Sequence, residues 1–291
     1  MASWRGNLTR FLARRSRATA PDPDATIEQA VIRDISPFEG MYGRYAGAAE
    51  HYAAVGRSAL AAVRLAMLAA GKTDVENLLD LPCGHGRVLR YLKAAFPAAR
   101  LTACDLDREG VDFCARTFGA VPVYSHGEPD RLRFPDRFDL VWCGSLLTHL
   151  PAERWRGFLQ LFRSLLRPHG LLVFTTHGRL PAAWMGQGLV HYGLGGEAAR
   201  RLVADYDQSG FAYADYPDAN GYGMSLAAPR WVVSEVERLG TLRLVLHSEA
   251  AWDDHQDVVA CVGIEAPPRA ADHLAAGRHR NVLRILRELE S

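Results

Sequence analysis

Short apolar runs alternate with helical patterns from residue 77 onward, and this alternation constrains the fold more than any other feature of the chain. The runs read NLLDL, RLTACDL, AVPVY, FDLVWC and GLLVFTT, and the helical patterns between them include GRVLRYLKAAF, REGVDFCARTF and AERWRGFLQLFRSLL. Two more runs, TLRLVLHS and DVVACVGI, follow the helical pattern PRWVVSEVERL. Strands separated by helices of this length require crossover connections. The sequence therefore predicts an α/β class, with a doubly wound parallel sheet of seven strands covered by helices on both faces.

The rest of the chain divides where the composition changes. Residues 1–24 include an arginine-rich start without acids, which predicts a flexible basic tail. Residues 25–72 have helical periodicity and predict a helical cap in front of the main domain at 73–265. The alternation stops after the fifth strand, where residues 178–228 are rich in Gly, Tyr and Asp and predict a lid-like insertion. Residues 266–291 end in HRNVLRILRELES, an amphipathic pattern that predicts a C-terminal helix.

Composition excludes several classes of protein. The formal net charge is +1, so no global field favours nucleic acid or an anionic membrane. Five scattered cysteines without a C-x-x-C pair argue against a disulfide framework or a thiolate zinc site, and they favour a reducing, cytoplasmic location. The longest apolar stretch, ALAAVRLAMLAAG, contains Arg64 and is expected to be too short to span a bilayer. The oligomeric state is not predicted.

A glycine turn follows the first predicted strand in LLDLPCGHGRVL. In open parallel sheets, ligands bind at the carboxyl ends of the strands, and glycine lets the backbone approach a ligand closely. A dinucleotide site would read G-x-G-x-x-G, but Leu89 stands where the third glycine is needed. No G-K-[ST] follows either, so the turn is neither an NAD or FAD fingerprint nor a phosphate-binding P-loop.

The turn and three later segments, in the same order, resemble the class I S-adenosylmethionine-dependent methyltransferases over about residues 75–265. The first motif of that family reads D-x-G-x-G-x-G; here Pro82 replaces the first glycine and removes one backbone N–H. The later segments are LTACDLD, EPDRLRFPDRFDLVWCGSLLTHLP and LRPHGLLVFTTHG. The resemblance implies a Rossmann-like methyltransferase sheet with an N-terminal helical cap and an insertion after the fifth strand. It also implies S-adenosyl-L-methionine as the cofactor.

The same resemblance assigns cofactor contacts to residues of this chain. Asp105 would accept hydrogen bonds from the ribose hydroxyls, and Leu106 would lie against the adenine. Glu128 falls near the acid that contacts adenine in the family, with Ser125 and His126 as alternatives. The complete predicted cofactor set is Asp80, Pro82, Gly84, Gly86, Asp105, Leu106, Glu128 and Cys143.

Histidine is the base best suited to proton removal from a hydroxyl acceptor near neutral pH. His177 directly follows the strand LLVFTT and is predicted to be this base, while His149 in LLTHL is its rival, with a structural or cofactor-lining role equally open. Tyr192 and Tyr222 of the insertion are predicted to contact the acceptor, although they could equally anchor the loop. His255 is also predicted to contact the acceptor; for its acidic segment WDDHQD a solvated turn is favoured over a cation site, and no metal is predicted.

These features predict a methyltransferase that acts on a small-molecule or carbohydrate acceptor at oxygen. The carbohydrate suggestion comes from the similarity of HYAAVGRSAL, GYGMSLAAPRWV and HQD to bacterial methyltransferases of glycan synthesis. Two alternatives stay open. One is a methyltransferase-like protein that binds cofactor or partners without turnover, for which Pro82 is the main support; the other is a nucleic-acid methyltransferase, which rests on the arginine-rich tail alone.

Overall fold

The structure, a computed structural model, describes residues 23–43 and 46–265. The predicted basic tail, apart from its last two residues, and the predicted C-terminal helix at 266–291 lie outside the described residues. The described strands are β1 (Asn77–Asp80), β2 (Arg100–Asp105), β3 (Val121–Tyr124), β4 (Phe138–Cys143), β5 (Leu166–Thr176), β6 (Phe211–Tyr216), β7 (Ala219–Ala227), β8 (Leu242–Trp252) and β9 (Gln256–Gly263). The described helices are α1 (Pro23–Ala30), α2 (Ala48–Ala70), α3 (Leu89–Ala95), α4 (Arg108–Phe118), α5 (Ala152–Leu165), α6 (Arg179–Gly186), α7 (Gly196–Ser209) and α8 (Pro229–Leu239).

The main sheet has the strand order β3-β2-β1-β4-β5-β9-β8, so the predicted seven-stranded, doubly wound class is confirmed. Strands β1 to β5 pair in parallel, whereas β9 runs antiparallel to both β5 and β8. The tight turn between β8 and β9 explains this change, since a parallel pair needs a much longer crossover. The strand order reverses between β1 and β4. The carboxyl ends of β1, β2, β4 and β5 therefore meet at one edge of the sheet.

Two apolar layers cover the sheet. One contains α2, α3 and α4, with Val63, Leu92 and Val111 among its buried residues. The other contains α5 and α8, with Phe162 and Val236 among its buried residues. Strands β1 and β9 are buried along their whole length, as expected for strands covered on both faces.

Helix α2 is longer than the apolar stretch that predicts it. It spans 23 residues and ends at Gly71, the predicted C-cap, with φ 67°. Among the described residues it is the one helix long and apolar enough, by length and composition, to cross a membrane. The helix is longer than the apolar stretch because it extends well before Ala59, and the expectation that the stretch does not span a bilayer stays a prediction. One face of the helix packs into the core of the sheet, and Leu65 and Leu68 on the other face are exposed.

The insertion at 178–228 forms regular structure that its sequence pattern did not predict. It contains α6, α7 and the antiparallel hairpin of β6 and β7, with a separate apolar core that includes Met185, Leu202 and Met224. The hairpin is fixed to the main sheet, since the N–H of Ala227 donates to the carbonyl of His177 over 2.8 Å. The insertion therefore follows β5, as predicted, and its hairpin ends beside the carboxyl edge of the sheet.

Candidate functional site

The glycine turn after β1 is held on one side and open on the other. The N–H of Gly84 donates to Asp105 Oδ2 over 2.7 Å, and Gly84 has φ 47°, which favours glycine. A Cβ added to Gly84 would meet no atom within 4 Å. By contrast, a Cβ on Gly110 of α4 would overlap the carbonyl of Gly84. Helix α4 thus packs directly against the turn and leaves its other side free for a ligand.

Two carboxylates stand at the ends of the neighbouring strands β1 and β2. Asp80 is 1% exposed, and neither of its carboxylate oxygens has a hydrogen-bond partner among the described residues. Burial, and then the charge of Asp105, raises the pKa of Asp80 well above its usual value. A buried polar group without a partner in a cleft is a feature of ligand sites. The arrangement favours a ligand that carries positive charge.

The segment after β2 presents an apolar side chain beside Asp105. Asp105 Oδ1 accepts from the N–H of Asp107 over 3.0 Å, and Asp107 caps the N-terminus of α4 through its own side chain. Leu106 lies between these two acids and is 64% exposed. An exposed leucine next to a fixed carboxylate offers a surface for a flat apolar group.

Three other predicted cofactor residues lie at or below the turn. Gly86 has φ 78°, and a Cβ there would overlap the Phe118 ring, so this glycine is required for packing against α4. Cys143 is fully buried at the end of β4, and burial raises the pKa of its thiol well above the usual range. Pro82 is half-buried within the turn. Cys143 therefore exposes no surface, while Pro82 is partly accessible.

The predicted acid Glu128 does not line the glycine turn. It is exposed and borders a cavity of about 530 Å³ that is otherwise formed mainly by α5 and the loop before β4. The alternative residue Ser125 is closer to the turn, because its N–H donates to the carbonyl of Asp105 over 2.8 Å. His126 is exposed. Of the three candidates, Ser125 has the position that fits a contact near the end of β2.

Aromatic and histidine side chains from distant parts of the sequence meet at the carboxyl ends of β4 and β5, and they include the predicted catalytic and acceptor-binding residues. We call this group the ring cluster; it consists of His149, His177, Trp184, Tyr192, Tyr216, Tyr222 and His255. The rings of His149 and Tyr222 stack at 4.9 Å and 28°. His177 contacts Tyr192 at 5.2 Å and His255 at 5.8 Å between ring centroids. All five predicted catalytic and acceptor-binding residues are therefore neighbours.

His149 has one ring nitrogen fixed by a backbone carbonyl. Its Nδ1 lies 2.8 Å from the carbonyl of Gly223, and Tyr216 Oη also approaches this nitrogen at 3.1 Å. Since a carbonyl only accepts hydrogen bonds, Nδ1 carries the proton and Nε2 carries the lone pair. Burial lowers the pKa of His149, against a smaller opposing effect of the Gly223 hydrogen bond. The imidazole is thus neutral near pH 7, with Nε2 able to accept a proton.

His177 lies deeper than His149. It is 3% exposed, and its Nδ1 has no hydrogen-bond partner among the described residues. Burial, and then the neighbouring His255 and His149, lowers the pKa of His177 well below its usual range. His177 is therefore a neutral imidazole enclosed by the ring cluster.

A polar network that sequence reasoning missed holds the loop after β4. The N–H of Ser145 donates to Thr175 Oγ1 over 2.8 Å, and this hydroxyl donates to Gln256 Oε1 over 2.6 Å. Gln256 Nε2 donates to Ser145 Oγ over 3.2 Å. The serine hydroxyl can then donate to Thr148 Oγ1, 3.3 Å away, or to His149 Nε2, 3.5 Å away. Ser145 has φ 56°, an uncommon value that marks a constrained position. Its place directly after a buried strand was the available sequence clue.

The acidic segment WDDHQD separates into a turn and a buried strand acid. Asp253 and Asp254 form the turn, and the Asp253 carbonyl lies 2.7 Å from Nδ1 of His255. Asp257 instead lies fully buried on β9 and accepts from the N–H of Ala250 over 3.0 Å. Within residues 23–43 and 46–265, no group of three or more His, Cys, Asp or Glu side chains is placed to hold a metal ion.

Tyr222 connects the ring cluster with the glycine turn. It is 48% exposed and stacks on His149. Burial, and then the charge of Asp105, raises the pKa of Tyr222. Tyr222 therefore lies within electrostatic reach of Asp105, which brings the ring cluster near the carboxylate at the end of β2.

Comparisons with known proteins agree with this geometry. A family model described as a methyltransferase domain matches residues 78–170. The chain is 34% identical over 110 residues to a fatty-acid O-methyltransferase of Mycolicibacterium smegmatis, a match that covers 36% of this chain and 39% of that protein. It is 30% identical over 102 residues to phthiotriol/phenolphthiotriol dimycocerosates methyltransferase 1 of Mycobacterium ulcerans, over 34% of this chain and 37% of that protein. The chain thus matches about two fifths of the length of these curated relatives.

A solved structure has the same fold. It is an S-adenosylmethionine-dependent methyltransferase from Clostridium acetobutylicum, with a TM-score of 0.50 and 14% identity over 72% of this chain and 91% of that chain. At this identity the likeness concerns the fold alone. Together with the family match, it confirms the predicted resemblance to the class I methyltransferase fold.

Proposed function

We propose that this chain transfers a methyl group from S-adenosylmethionine to a hydroxyl oxygen of a small-molecule or carbohydrate acceptor, because residues 78–170 match a methyltransferase domain within a class I sheet. The observation that carries the proposal is the buried, unpartnered Asp80 beside the open glycine turn, with the neutral His149 at the same edge of the sheet. The turn suits a cationic nucleoside, and His149 suits proton removal from an acceptor.

The residues at the glycine turn fit the cofactor. S-adenosylmethionine carries a sulfonium and an ammonium group, and a cation of this kind beside the buried, unpartnered Asp80 would favour the carboxylate form that burial disfavours. Asp105 retains lone pairs beyond the two backbone hydrogen bonds that it accepts, so it can also accept from ribose hydroxyls. The exposed side chain of Leu106 can pack against the adenine, and the open side of Gly84 lets the ligand approach the backbone closely. When bound, the cofactor supplies the activated methyl group.

His149 is the base that the geometry supports for a hydroxyl acceptor. The acceptor oxygen gives its proton to Nε2, while the carbonyl of Gly223 holds the proton on Nδ1 and stabilises the imidazolium that forms. Ser145 Oγ, at 3.5 Å from Nε2, marks a position where a hydroxyl can lie against this nitrogen. A positioned base of this kind usually contributes about 10²–10⁴ in rate. The sequence-based preference for His177 stays a prediction, and the greater burial of this residue favours a supporting role.

The surroundings of the ring cluster favour an uncharged acceptor over a carboxylate. Among the described residues, no Lys or Arg side chain hydrogen-bonds to or stacks on a member of the cluster. The charges that act on it come from Asp253, near Tyr192, and Asp105, near Tyr222. A negative acceptor would have to enter this field without a cationic partner. Three of the cluster's tyrosines belong to the insertion, so we assign the selection of the acceptor to that segment.

The test begins with calorimetry of S-adenosylhomocysteine binding to the full chain. Release of S-adenosylhomocysteine is then measured with a panel of phenols, sugar alcohols and fatty acids. His149→Ala is expected to lower turnover by about a hundredfold with little change in cofactor affinity. His177→Ala is the rival variant, and His51→Ala, on the exposed face of α2, is the matched control. Absence of S-adenosylhomocysteine binding, or full turnover in both variants, would refute the proposal.

A further inference from the structure

Arg90 of α3 is a buried cation that reaches two separate parts of the chain. It is 3% exposed. Its Nε donates to the carbonyl of Gly86, in the glycine turn, over 3.0 Å. Its Nη1 donates to the carbonyls of Ile32 and Asp34, each over 3.0 Å. One guanidinium group thus joins the glycine turn to the segment between α1 and α2.

A second set of contacts strengthens the same link. Arg90 Nη2 lies 3.5 Å from both the carbonyl of His85 and the hydroxyl of Tyr52. Tyr52 in turn donates to Glu39 Oε2 over 2.7 Å. The guanidinium also lies over the rings of Tyr52 and Phe118, at 5.3 and 5.4 Å from their centroids. Every one of these contacts belongs to the glycine turn, to a helix beside it, or to residues 31–42.

The geometry of the guanidinium is essential to this arrangement. Its donors form a rigid planar fork, which a lysine ammonium on a flexible stem cannot reproduce. Residues 31–42 form no helix or strand, so they lack a backbone ladder that would fix them independently. Within the glycine turn, Arg90 donates to the carbonyls of His85 and Gly86. These residues directly follow Gly84, whose N–H donates to Asp105. A change at Arg90 therefore acts on the turn without touching its ligand-facing side.

We propose that Arg90 is a positioning residue that couples cofactor binding at the glycine turn to the ordering of residues 31–42. The proposal rests on the proposed function, because the ligand at the turn is taken to be the cofactor. It assigns no chemical step to Arg90. Instead, the free energy of cofactor binding depends on the link, and binding in turn stabilises the N-terminal segment.

Calorimetry with S-adenosylhomocysteine tests the affinity side of the coupling. Arg90→Lys keeps the charge and loses the fork, and we expect the affinity to fall at least about tenfold. Arg163→Lys is the matched control, since Arg163 also binds a backbone carbonyl, that of Ile264, but belongs to α5 and takes no part in the turn. Its affinity should stay within about twofold of wild type, even where both variants lower the melting temperature equally. An unchanged affinity in Arg90→Lys, or an equal loss in Arg163→Lys, would overturn the role of Arg90.

Hydrogen exchange of the wild-type chain tests the other side and needs no variant to fold. Saturating S-adenosylhomocysteine should slow amide exchange in residues 31–42 as well as in 84–92. Tyr52→Phe, which removes the hydroxyl between Arg90 and Glu39, should weaken the protection of 31–42 more than that of 84–92. Protection confined to 84–92 in wild type would overturn the coupling. No binding at all would refute the proposed function together with this role, which distinguishes the two failures.

Discussion

Replacing Gly110 by alanine measures how closely α4 must approach the glycine turn. A Cβ at this position would overlap the carbonyl oxygen of Gly84 and lie 2.8 Å from its carbonyl carbon. Ordinary contact between such atoms needs at least about 3.4 Å, so the turn or the helix must move by roughly 0.6 Å or more. Overpacking of this kind costs about 1–3 kcal/mol, and alanine regains up to about 1 kcal/mol of helix propensity. We expect the free energy of unfolding to fall by about 1–2 kcal/mol.

The same movement should weaken the cofactor site. It displaces the N–H of Gly84 from Asp105 Oδ2, a charge-assisted hydrogen bond of 2.7 Å whose kind contributes about 1.5–3 kcal/mol. The affinity for S-adenosylhomocysteine should therefore fall by about one to two decades in calorimetry, while urea unfolding reports the loss of stability. Gly157→Ala is the control, because a Cβ there meets only the ring of Pro129, at 3.3 Å. A Gly110→Ala protein as stable as wild type, with unchanged affinity, would refute this account of the packing.

Two further predictions concern pH. Burial raises the pKa of Asp257 from its ordinary 3.8 to about 6, so the folded protein binds the carboxyl proton more tightly than the unfolded chain does. The protonated side chain therefore contributes stability below about pH 4, and this contribution is lost as the pH rises through about 6. Asp257→Asn should therefore raise the free energy of unfolding above pH 6 by up to about 3 kcal/mol, with no gain near pH 4; a gain that does not change with pH in urea unfolding would contradict this. Burial lowers the pKa of His149 and His177, so the acid limb of the pH profile of turnover should lie below about pH 6.5. The residual turnover of the alanine variant that lacks the base should show no such limb. An acid limb above pH 7 would argue against a histidine base.

The succession of strands and helices along the chain and the glycine turn could be predicted because both are encoded locally. Continuous apolar runs such as NLLDL mark strands buried on both faces, and the helical patterns between them leave little choice of connection. The spacing of Asp80, Gly84 and Asp105 predicts the cofactor end of the sheet for the same reason, since the two acids end strands and Gly84 lies in the turn after the first. The antiparallel pairing of β8 and β9 was not predicted, because the boundaries of strands, and so the length of the turn between them, are harder to read from a sequence than the presence of a strand.

The tertiary structure decided the features that depend on residues far apart in the chain. Ser145 is held by Gln256, 111 positions later, and the proton on His149 Nδ1 is fixed by the carbonyl of Gly223, 74 positions later. The ring cluster forms only when the insertion, which has its own apolar core, docks its hairpin beside β4 and β5. Periodicity and motif spacing describe which face a residue occupies within its own element. They carry no information about which carbonyl or ring a second element brings to it, and the protonation and burial of the candidate base are set by those contacts.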